Sequence, residues 1–202
     1  ALTTHINADG DAAGSVSALA RLLPQLGVSA RVVNPTPWPS IFSYLLGPDI
    51  DDKTAKGAAA LKGVDGIVAL DVSDMKRLGA LADTVRTMTV PRIVIDHHVP
   101  TDEPAGEIVL DDTDACATGE LLFDFAAVLG LEVTPAIAEA LYTAILTDTG
   151  GFRYSNTTPR CHAVAATLLS KGVDPEEMFR RIYASVSTGR LLLLRDSLHS
   201  LG

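Results

Sequence analysis

Short apolar runs alternate with longer stretches of helical spacing along the chain. In the first helical stretch, Val16, Leu19 and Leu22 recur at helical intervals, and Gly27 follows its end. Strands are predicted at residues 1–7, 31–34, 66–70, 92–95 and 107–110. Helices are predicted at residues 12–26, 40–46, 78–88, 118–129, 135–147, 159–171 and 187–201, with a shorter one from residue 175. This alternation predicts an α/β fold, with a parallel β-sheet flanked by helices on both faces.

Composition places the chain among globular proteins and excludes one class of partner. Of its 202 residues, 47% are hydrophobic, so the chain can bury a core and fits one domain with a short extension. Lys and Arg number 16 against 25 Asp and Glu, which gives a net charge of −9. A protein that coats duplex nucleic acid needs a basic surface, so this balance excludes that role. It does not exclude a site for one small phosphorylated ligand.

The sequence lacks the patterns of membrane and secreted proteins. No apolar run reaches membrane-spanning length, and no signal-peptide pattern opens the chain, which begins as if inside a strand. Cys116 and Cys161 stand far apart, which excludes a disulfide scaffold and a thiolate zinc site. We therefore expect two reduced thiols in a cytoplasmic protein that has no membrane partner.

Acidic and histidine side chains follow three predicted strands at the point where each strand ends. They are His5, Asp9, Asp11, Asp71, Asp96, His97 and His98. A single Asp in such a turn is typical of a helix cap, but one helix end has room for one cap, and crowded carboxylates repel one another. Because the carboxyl ends of parallel strands meet at one edge of the sheet, we expect these side chains to converge around a cation.

Two further carboxylates extend this set. Asp148 follows a helical stretch, where the negative end of the helix dipole disfavours a carboxylate unless a cation compensates it. Asp74 has two interpretations of equal weight, as the N-cap of the next helix or as part of the site. Oxygen ligands combined with imidazole suit Mn²⁺ better than Ca²⁺. Asp71 could bridge two such ions about 3.5–4 Å apart, the geometry of two-metal phosphoester hydrolysis.

Four short motifs with acidic or histidine residues occur in order along the chain. They are HINADGD from His5, DVSD from Asp71, DHH from Asp96 and TDTG around Asp148. In this order and spacing they resemble the motifs of the DHH phosphoesterase superfamily, and the resemblance covers nearly the whole chain. It implies a five-stranded parallel sheet and a dinuclear Mn²⁺ centre, for which Co²⁺ or Mg²⁺ would be substitutes.

The resemblance also implies a role for each motif residue. One ion would be held by His5, Asp9 and Asp71. The other ion would be held by Asp11, Asp71, His97 and Asp148. Asp71 would be catalytic, and His98 would stabilise charge on the phosphate. Arg153 follows Asp148 by five residues, and from that position we favour a catalytic role in which it binds the phosphate and stabilises its charge over a surface salt bridge.

The string DTGGFRYSNTT, which begins at Asp148, resembles one branch of the superfamily. This is the branch of oligoribonucleases that also act as 3′-phosphoadenosine-5′-phosphate phosphatases. In that branch a second domain, DHHA1, carries a glycine-rich motif that grips the substrate, and nothing in residues 187–202 resembles it. We therefore expect a catalytic domain at 1–185 and an amphipathic linking helix at 186–202, in a chain that holds its metals but binds substrate weakly.

The activity implied is that of a Mn²⁺-dependent phosphoesterase. Its substrates would be short oligoribonucleotides or small nucleotides with a terminal phosphate. The alternatives are a family II inorganic pyrophosphatase, a cyclic dinucleotide phosphodiesterase, or a non-catalytic module that binds metal or nucleotide. The intact set of motif residues argues against the module, and a homodimer stays open.

Four other features have ordinary interpretations. Trp38 is favoured as a packed loop aromatic over a platform for a stacked base. Capping explains the acidic cluster Asp111, Asp112 and Asp114 better than metal binding does. His162 and His199 lie in predicted helices without ligand partners at helical spacing, so we interpret them as structural or surface residues.

Overall fold

Four parallel strands form the central sheet of the computed structural model, which describes residues 1–184 and 188–200. The strands lie side by side in chain order as β1 (Leu2–Thr3), β2 (Ile67–Leu70), β3 (Arg92–Asp96) and β4 (Ile108–Asp111). Each neighbouring pair is parallel, and Val68 lies opposite Ile93. The predicted α/β architecture is therefore confirmed, and the carboxyl ends of the strands lie along one edge.

Two strand predictions are wrong in extent. The run at 1–7 forms a strand only over Leu2–Thr3. Residues 31–34 form no strand, and only Val32 among them makes parallel bridges, one to Leu2 and one to Asp52. Pro35 follows and has no backbone N–H to offer a sheet, so the strand does not continue. The fifth strand implied by the resemblance is thus reduced to one residue beside β1.

Helices connect the strands and continue beyond the sheet. The α-helices are α1 (Gly10–Leu22), α2 (Ala82–Thr87), α3 (Thr118–Val128), α4 (Pro135–Asp148), α5 (Pro159–Ser170), α6 (Pro175–Tyr183) and α7 (Thr188–His199). Shorter 3₁₀ helices span Leu23–Leu26, Ser40–Leu45, Thr54–Leu61 and Met75–Leu81. The helix predicted at 78–88 is split between the last 3₁₀ helix and α2, because Gly79 takes a φ of 52°.

Apolar side chains fill both faces of the sheet. On one face, Leu70 and Ile95 belong to a core shared with α1, α3, α4, α5 and α6. On the other face, Ala69 and Val94 belong to a second core with α2 and the 3₁₀ helix Met75–Leu81. Successive strand residues alternate between these two cores, as the pleat requires. The predicted cover of helices on both faces is confirmed.

Two glycines allow α1, α3 and α4 to approach one another closely. A Cβ on Gly14 of α1 would lie 2.4 Å from the carbonyl oxygen of Ala140 in α4. A Cβ on Gly119 of α3 would lie 2.5 Å from the Cβ of Ala144, also in α4. A larger residue at either position would push the helices apart. Because α1 and α4 carry predicted metal ligands, this packing sets the distance between those ligands.

Every residue of α7 is exposed. Four consecutive leucines, Leu191–Leu194, are among them. Consecutive residues of a helix point in successive directions, so these leucines point to several sides of α7. The linking role of this helix stays a prediction. Residues 186, 187, 201 and 202 of the predicted linking segment lie outside the described residues, as does the predicted boundary at residue 185.

Cys116 and Cys161 are both buried as free thiols. Over residues 1–184 and 188–200, no helix combines the length and the apolar character needed to cross a membrane.

Candidate metal centre

The turn between β1 and α1 brings predicted ligands to the carboxyl edge of the sheet. Asp9 is the N-cap of α1, and its Oδ1 accepts a hydrogen bond of 3.0 Å from the backbone N–H of Ala12. Its other oxygen, Oδ2, lies 3.8 Å from Nε2 of His5. Asn7 tightens the turn with a φ of 56°, a region that Asn tolerates better than most residues. Asp9 therefore caps the helix and faces the candidate site at the same time.

His5 faces two carboxylates from a buried position. Its Nδ1 lies 2.8 Å from the carbonyl oxygen of Ile6, so this nitrogen carries the proton and donates it. Its Nε2 lies 3.5 Å from Oδ2 of Asp71. We call His5, Asp9 and Asp71 the first cluster, and one candidate ligand atom from each lies within 4.8 Å of the others.

A second cluster is built in the same way around His97. Nδ1 of His97 lies 3.2 Å from the carbonyl oxygen of Ala115, which again leaves Nε2 as the free nitrogen. Nε2 lies 3.6 Å from Oδ2 of Asp11 and 3.6 Å from Oδ2 of Asp148. We call Asp11, His97 and Asp148 the second cluster, whose candidate ligand atoms also lie within 4.8 Å of one another.

Asp71 lies between the two clusters. It follows β2 directly, and a φ of 57° turns the chain at this point. Its Oδ2 faces His5, while its Oδ1 lies 3.8 Å from Nε2 of His97. The side chain is only 1% exposed. One buried carboxylate thus offers one oxygen to each cluster, as a bridging ligand would.

The imidazole nitrogens show that a cation fits among these groups. Nε2 of His5 and Nε2 of His97 are buried and have no hydrogen-bond partner among the described residues. Buried polar atoms are rarely left in this state, and each of these two faces carboxylate oxygens at 3.5 to 3.8 Å. An ion bound at about 2.0–2.2 Å from nitrogen and oxygen fits such a gap. The residues present therefore fit one divalent ion in each cluster.

Electrostatics at both clusters favour added positive charge. Burial by itself lowers the pKa of His5, but the carboxylates of Asp71 and Asp9 outweigh it and raise that pKa to about 10. Burial and the charges of Asp71 and Asp148 raise the pKa of Asp11 well above its usual range. Burial also raises the pKa of Asp148, against the opposing effect of His97. The carboxylates are therefore crowded enough to need a proton or a metal ion among them.

The N-terminus of α3 holds Asp11 in place. The backbone N–H of Thr118 donates to Oδ2 of Asp11 at 2.7 Å, and that of Gly119 donates to Oδ1 at 3.0 Å. The hydroxyl of Ser15 donates to Oδ1 at 3.0 Å. The Thr118 hydroxyl donates to Oδ1 of Asp71 at 3.3 Å. None of these supports was predicted, since only the start of a helix at Thr118 is visible in the sequence.

His98 lies beside the clusters, with its ring held by Asp96. Nδ1 of His98 lies 2.8 Å from Oδ1 of the buried Asp96, whose Oδ2 accepts a hydrogen bond of 2.6 Å from Ser73. The Asp96 carboxylate raises the pKa of His98, against the opposing effect of burial. Together with Asp71 and His97, His98 forms a third group within 4.8 Å. Its side chain is 45% exposed to solvent.

Asp74 has neither of the two roles weighed from the sequence. Its side chain gives no cap to the 3₁₀ helix that follows it. Instead Oδ1 accepts hydrogen bonds of 3.0 Å from the backbone N–H groups of Thr101 and Asp102, and Oδ2 accepts the Thr101 hydroxyl at 2.5 Å. These bonds, the Thr101 hydroxyl first, lower the pKa of Asp74. Asp74 therefore anchors the loop that follows the DHH motif.

Two of the remaining predicted residues have local partners. Nε of Arg153 donates to the carbonyl oxygen of Gly150 at 2.6 Å, and the role of Arg153 on a phosphate stays a prediction. The indole N–H of Trp38 donates to the carbonyl oxygen of Phe42 at 3.0 Å. This bond fits the favoured interpretation of Trp38 as a packed loop aromatic.

The acidic cluster and the other two histidines also stand apart from the candidate ligands. The side chain of Asp112 accepts the backbone N–H of Asp114 at 2.9 Å, in a turn after β4. His162 stacks on Phe152 with ring centroids 5.3 Å apart. Within the part of the chain that the structure describes, the candidate metal groups contain none of Asp111, Asp112, Asp114, His162 and His199.

Comparison with known proteins places this geometry in a family. Residues 1–145 match the N-terminal domain of the DHH family. Over 185 residues the chain is 36% identical to the bifunctional oligoribonuclease and PAP phosphatase NrnA of Thermus thermophilus, covering 90% of this chain and 52% of that protein. It is 28% identical over 188 residues to the NrnA of Bacillus subtilis, covering 90% and 56%. The chain spans about half the length of these curated relatives.

A solved structure agrees with the sequence relatives. The crystal structure of an exopolyphosphatase-related protein from Bacteroides fragilis superposes with a TM-score of 0.88 at 29% identity, covering 98% of this chain and 60% of that chain. The family match runs from β1 into α4, and so contains the HINADGD, DVSD and DHH motifs. On this evidence the chain belongs to the DHH family.

Proposed function

We propose that the protein is a metal-dependent phosphoesterase that uses two divalent ions. The observation that supports this most directly is the placement of Asp71, whose two oxygens face His5 and His97. Many enzymes that hydrolyse phosphoesters hold two metal ions about 3.5–4 Å apart. The names of the relatives, which describe oligoribonucleases and phosphatases, support the same class of reaction.

The proposed ligands follow the two clusters. The first ion is held by His5, Asp9 and Asp71. The second ion is held by Asp11, Asp71, His97 and Asp148. We propose Mn²⁺ for both positions, because each cluster combines one imidazole with carboxylates, whereas Mg²⁺ prefers oxygen ligands alone. Co²⁺ shares the preference for imidazole and is the expected substitute.

The ions would supply Lewis acidity towards the phosphate oxygens and an activated water molecule as nucleophile. The residues of the chain position these parts. Asp71 fixes the separation of the two positions, and the N-terminus of α3 holds Asp11 in place. His98 keeps its Nδ1 on Asp96 and presents Nε2 to the phosphate, where a proton stabilises the charge that develops.

We propose short oligoribonucleotides, or small nucleotides with a terminal phosphate, as the substrates. The two curated relatives are named for activities of this kind. Recognition of a base and a sugar needs walls beyond the metal clusters. The buried free thiols suit a reducing compartment, so we propose the cytoplasm as its location.

A substrate panel tests the proposed function. Protein stripped with EDTA is supplied with Mn²⁺ and offered a diribonucleotide, 3′-phosphoadenosine-5′-phosphate, a cyclic dinucleotide and inorganic pyrophosphate. We expect hydrolysis of the first two, and no hydrolysis in samples that stay metal-free. Exclusive hydrolysis of pyrophosphate or of the cyclic dinucleotide would replace the proposed substrate class. Binding of Mn²⁺ without any hydrolysis would contradict the enzymatic role and favour a binding module.

A further inference from the structure

Asn156 lies in the connection between α4 and α5 and makes three contacts with one nitrogen. Its Nδ2 lies 2.9 Å from the carbonyl oxygen of Cys116, 3.2 Å from the carbonyl oxygen of Asp148 and 3.2 Å from Oδ2 of Asp148. All three partners are acceptors. The amide can therefore take only this orientation, because a flipped amide would place its own oxygen against three oxygens.

Asp148 sits at an unfavourable place in its helix and has one hydrogen-bond donor to its side chain among the described residues. It is the last residue of α4, where the negative end of the helix dipole disfavours a carboxylate. Within the described chain, Asn156 is the hydrogen-bond donor to its side chain. The Asp148 side chain is 27% exposed, so without a hydrogen bond its carboxylate could rotate towards solvent. Asn156 keeps Oδ2 on the side of His97, 3.6 Å from Nε2.

The carbonyl oxygen of Cys116, which also accepts from Asn156, lies in a segment that hydrogen-bonds to His97 and Asp11 of the second cluster. This segment runs from Ala115 to Gly119. The carbonyl oxygen of Ala115 holds the ring of His97, and the backbone N–H groups of Thr118 and Gly119 hold Asp11. Cys116 lies between these two supports. Through Asn156, one short segment thus contacts every member of the second cluster.

In the first cluster, His5 and Asp9 have supports of their own, whereas the shared Asp71 accepts the Thr118 hydroxyl at 3.3 Å and has no contact with Asn156 among the described hydrogen bonds. The carbonyl oxygen of Ile6 holds the ring of His5, and the backbone N–H of Ala12 holds Asp9. Neither support involves residues 115–119 or Asn156. A change at Asn156 should therefore reach one ion position and leave the other unchanged.

We propose that Asn156 is a positioning residue for the second ion alone, which it serves by fixing Asp148 to the segment that holds Asp11 and His97. This inference rests on the ligand assignment of the proposed function. Residues that orient metal ligands typically change metal affinity by about 10- to 100-fold when they are removed. Asn156→Ala should weaken the second position by that factor and leave the affinity of the first position as it is.

Calorimetric titration of Mn²⁺ into EDTA-stripped protein tests this, with activity measured separately. The wild type should bind two ions. Asn156→Ala should bind one ion with unchanged affinity and the other about 10- to 100-fold more weakly. Asn156→Ser keeps a donor on a shorter side chain, so its affinity for the second ion should lie between those of the wild type and Asn156→Ala. Ser155→Ala, at the exposed neighbouring residue, is the matched control and should bind Mn²⁺ as the wild type does.

Three results would overturn the proposal. Equal weakening of both positions in Asn156→Ala would show a general loss of structure, and two unchanged affinities would show that Asp148 needs no such support. A lower unfolding temperature of the metal-free variant, together with wild-type Mn²⁺ binding, would assign Asn156 a purely structural role. Failure of the ligand assignment is seen separately, because the wild type itself would then bind fewer than two ions, and failure of the enzymatic role is seen in the separate activity measurement on the wild type.

Discussion

Oδ2 of Asp71 lies 3.5 Å from Nε2 of His5, with both atoms buried at the end of neighbouring strands. The same carboxylate turns its Oδ1 towards His97, at 3.8 Å from Nε2. Both imidazoles donate from Nδ1 to a backbone carbonyl. The two free nitrogens therefore face the two oxygens of one residue, and this is the basis of the two-ion account.

Removing the charge of Asp71 should abolish activity. Asp71→Asn keeps the shape of the side chain, but a neutral amide bridges two cations poorly. We expect hydrolysis of a diribonucleotide to fall by about a hundredfold or more. Asp112→Asn is the matched control, since Asp112 is exposed and its contact to Asp114 survives the change. Near-normal turnover of Asp71→Asn would count against a bridging carboxylate.

The activity restored by each divalent metal should depend on how well that metal binds imidazole together with carboxylates. After chelation we expect the enzyme to be inactive, and Mn²⁺ or Co²⁺ to restore more activity than Mg²⁺ at equal concentration, because each cluster includes an imidazole. Ca²⁺ should restore little, since it prefers a larger set of oxygen ligands. The measurement is initial rate against the concentration of each metal. Full activity with Ca²⁺ would contradict the ligand assignment.

A methyl group at Gly14 should destabilise the fold and loosen the metal centre. The added Cβ would lie 2.4 Å from the carbonyl oxygen of Ala140, which is backbone and cannot rotate away. We expect Gly14→Ala to lower the free energy of unfolding by about 1–3 kcal/mol, measured with urea. Gly66→Ala is the control, because its nearest contact would be 3.5 Å away. An unchanged urea midpoint for Gly14→Ala would show that α1 and α4 can accommodate a methyl group at this contact.

The contribution of Asp74 to stability should disappear in acid. Hydrogen bonds from Thr101 and Asp102 lower the pKa of Asp74 in the folded protein from its ordinary value of 3.8. Its carboxylate therefore stabilises the fold above that ordinary value, and the effect is lost as the pH falls through the lowered pKa.

Asp74→Ala should thus cost about 1–3 kcal/mol at neutral pH, and the difference from the wild type should shrink below pH 3.8. Urea unfolding across a pH series measures this. Asp114→Ala, at an exposed residue in a turn, is the control and should show a small effect on the free energy of unfolding. A difference for Asp74→Ala that grows in acid would have the wrong sign for a lowered pKa.

The sheet and the convergence of the ligands could be predicted from the sequence, because both depend on local signals. The apolar runs at 66–70 and 92–95 became β2 and β3, and both end where the acidic and histidine residues begin. Parallel strands bring their carboxyl ends to one edge, so residues far apart in sequence had to meet there. His5, Asp71 and His97 were predicted in this way.

The hydrogen bonds that hold the candidate ligands in place could not be predicted in the same way, because they depend on tertiary packing. Thr118 reaches Asp11 across 107 residues of sequence, and Asn156 reaches Cys116 across 40. No periodic pattern marks such pairs. Asp74 shows the same limit, since its partners come from the loop after the DHH motif.

Activity followed during metal titration tests the two-ion phosphoesterase most directly. EDTA-stripped protein at a concentration well above the dissociation constants receives Mn²⁺ in small steps, while hydrolysis of a diribonucleotide is recorded at each step. With two ions at work, activity should rise with the second equivalent of Mn²⁺ per chain and then level off. Full activity with a single equivalent, or in the absence of added metal, would contradict it.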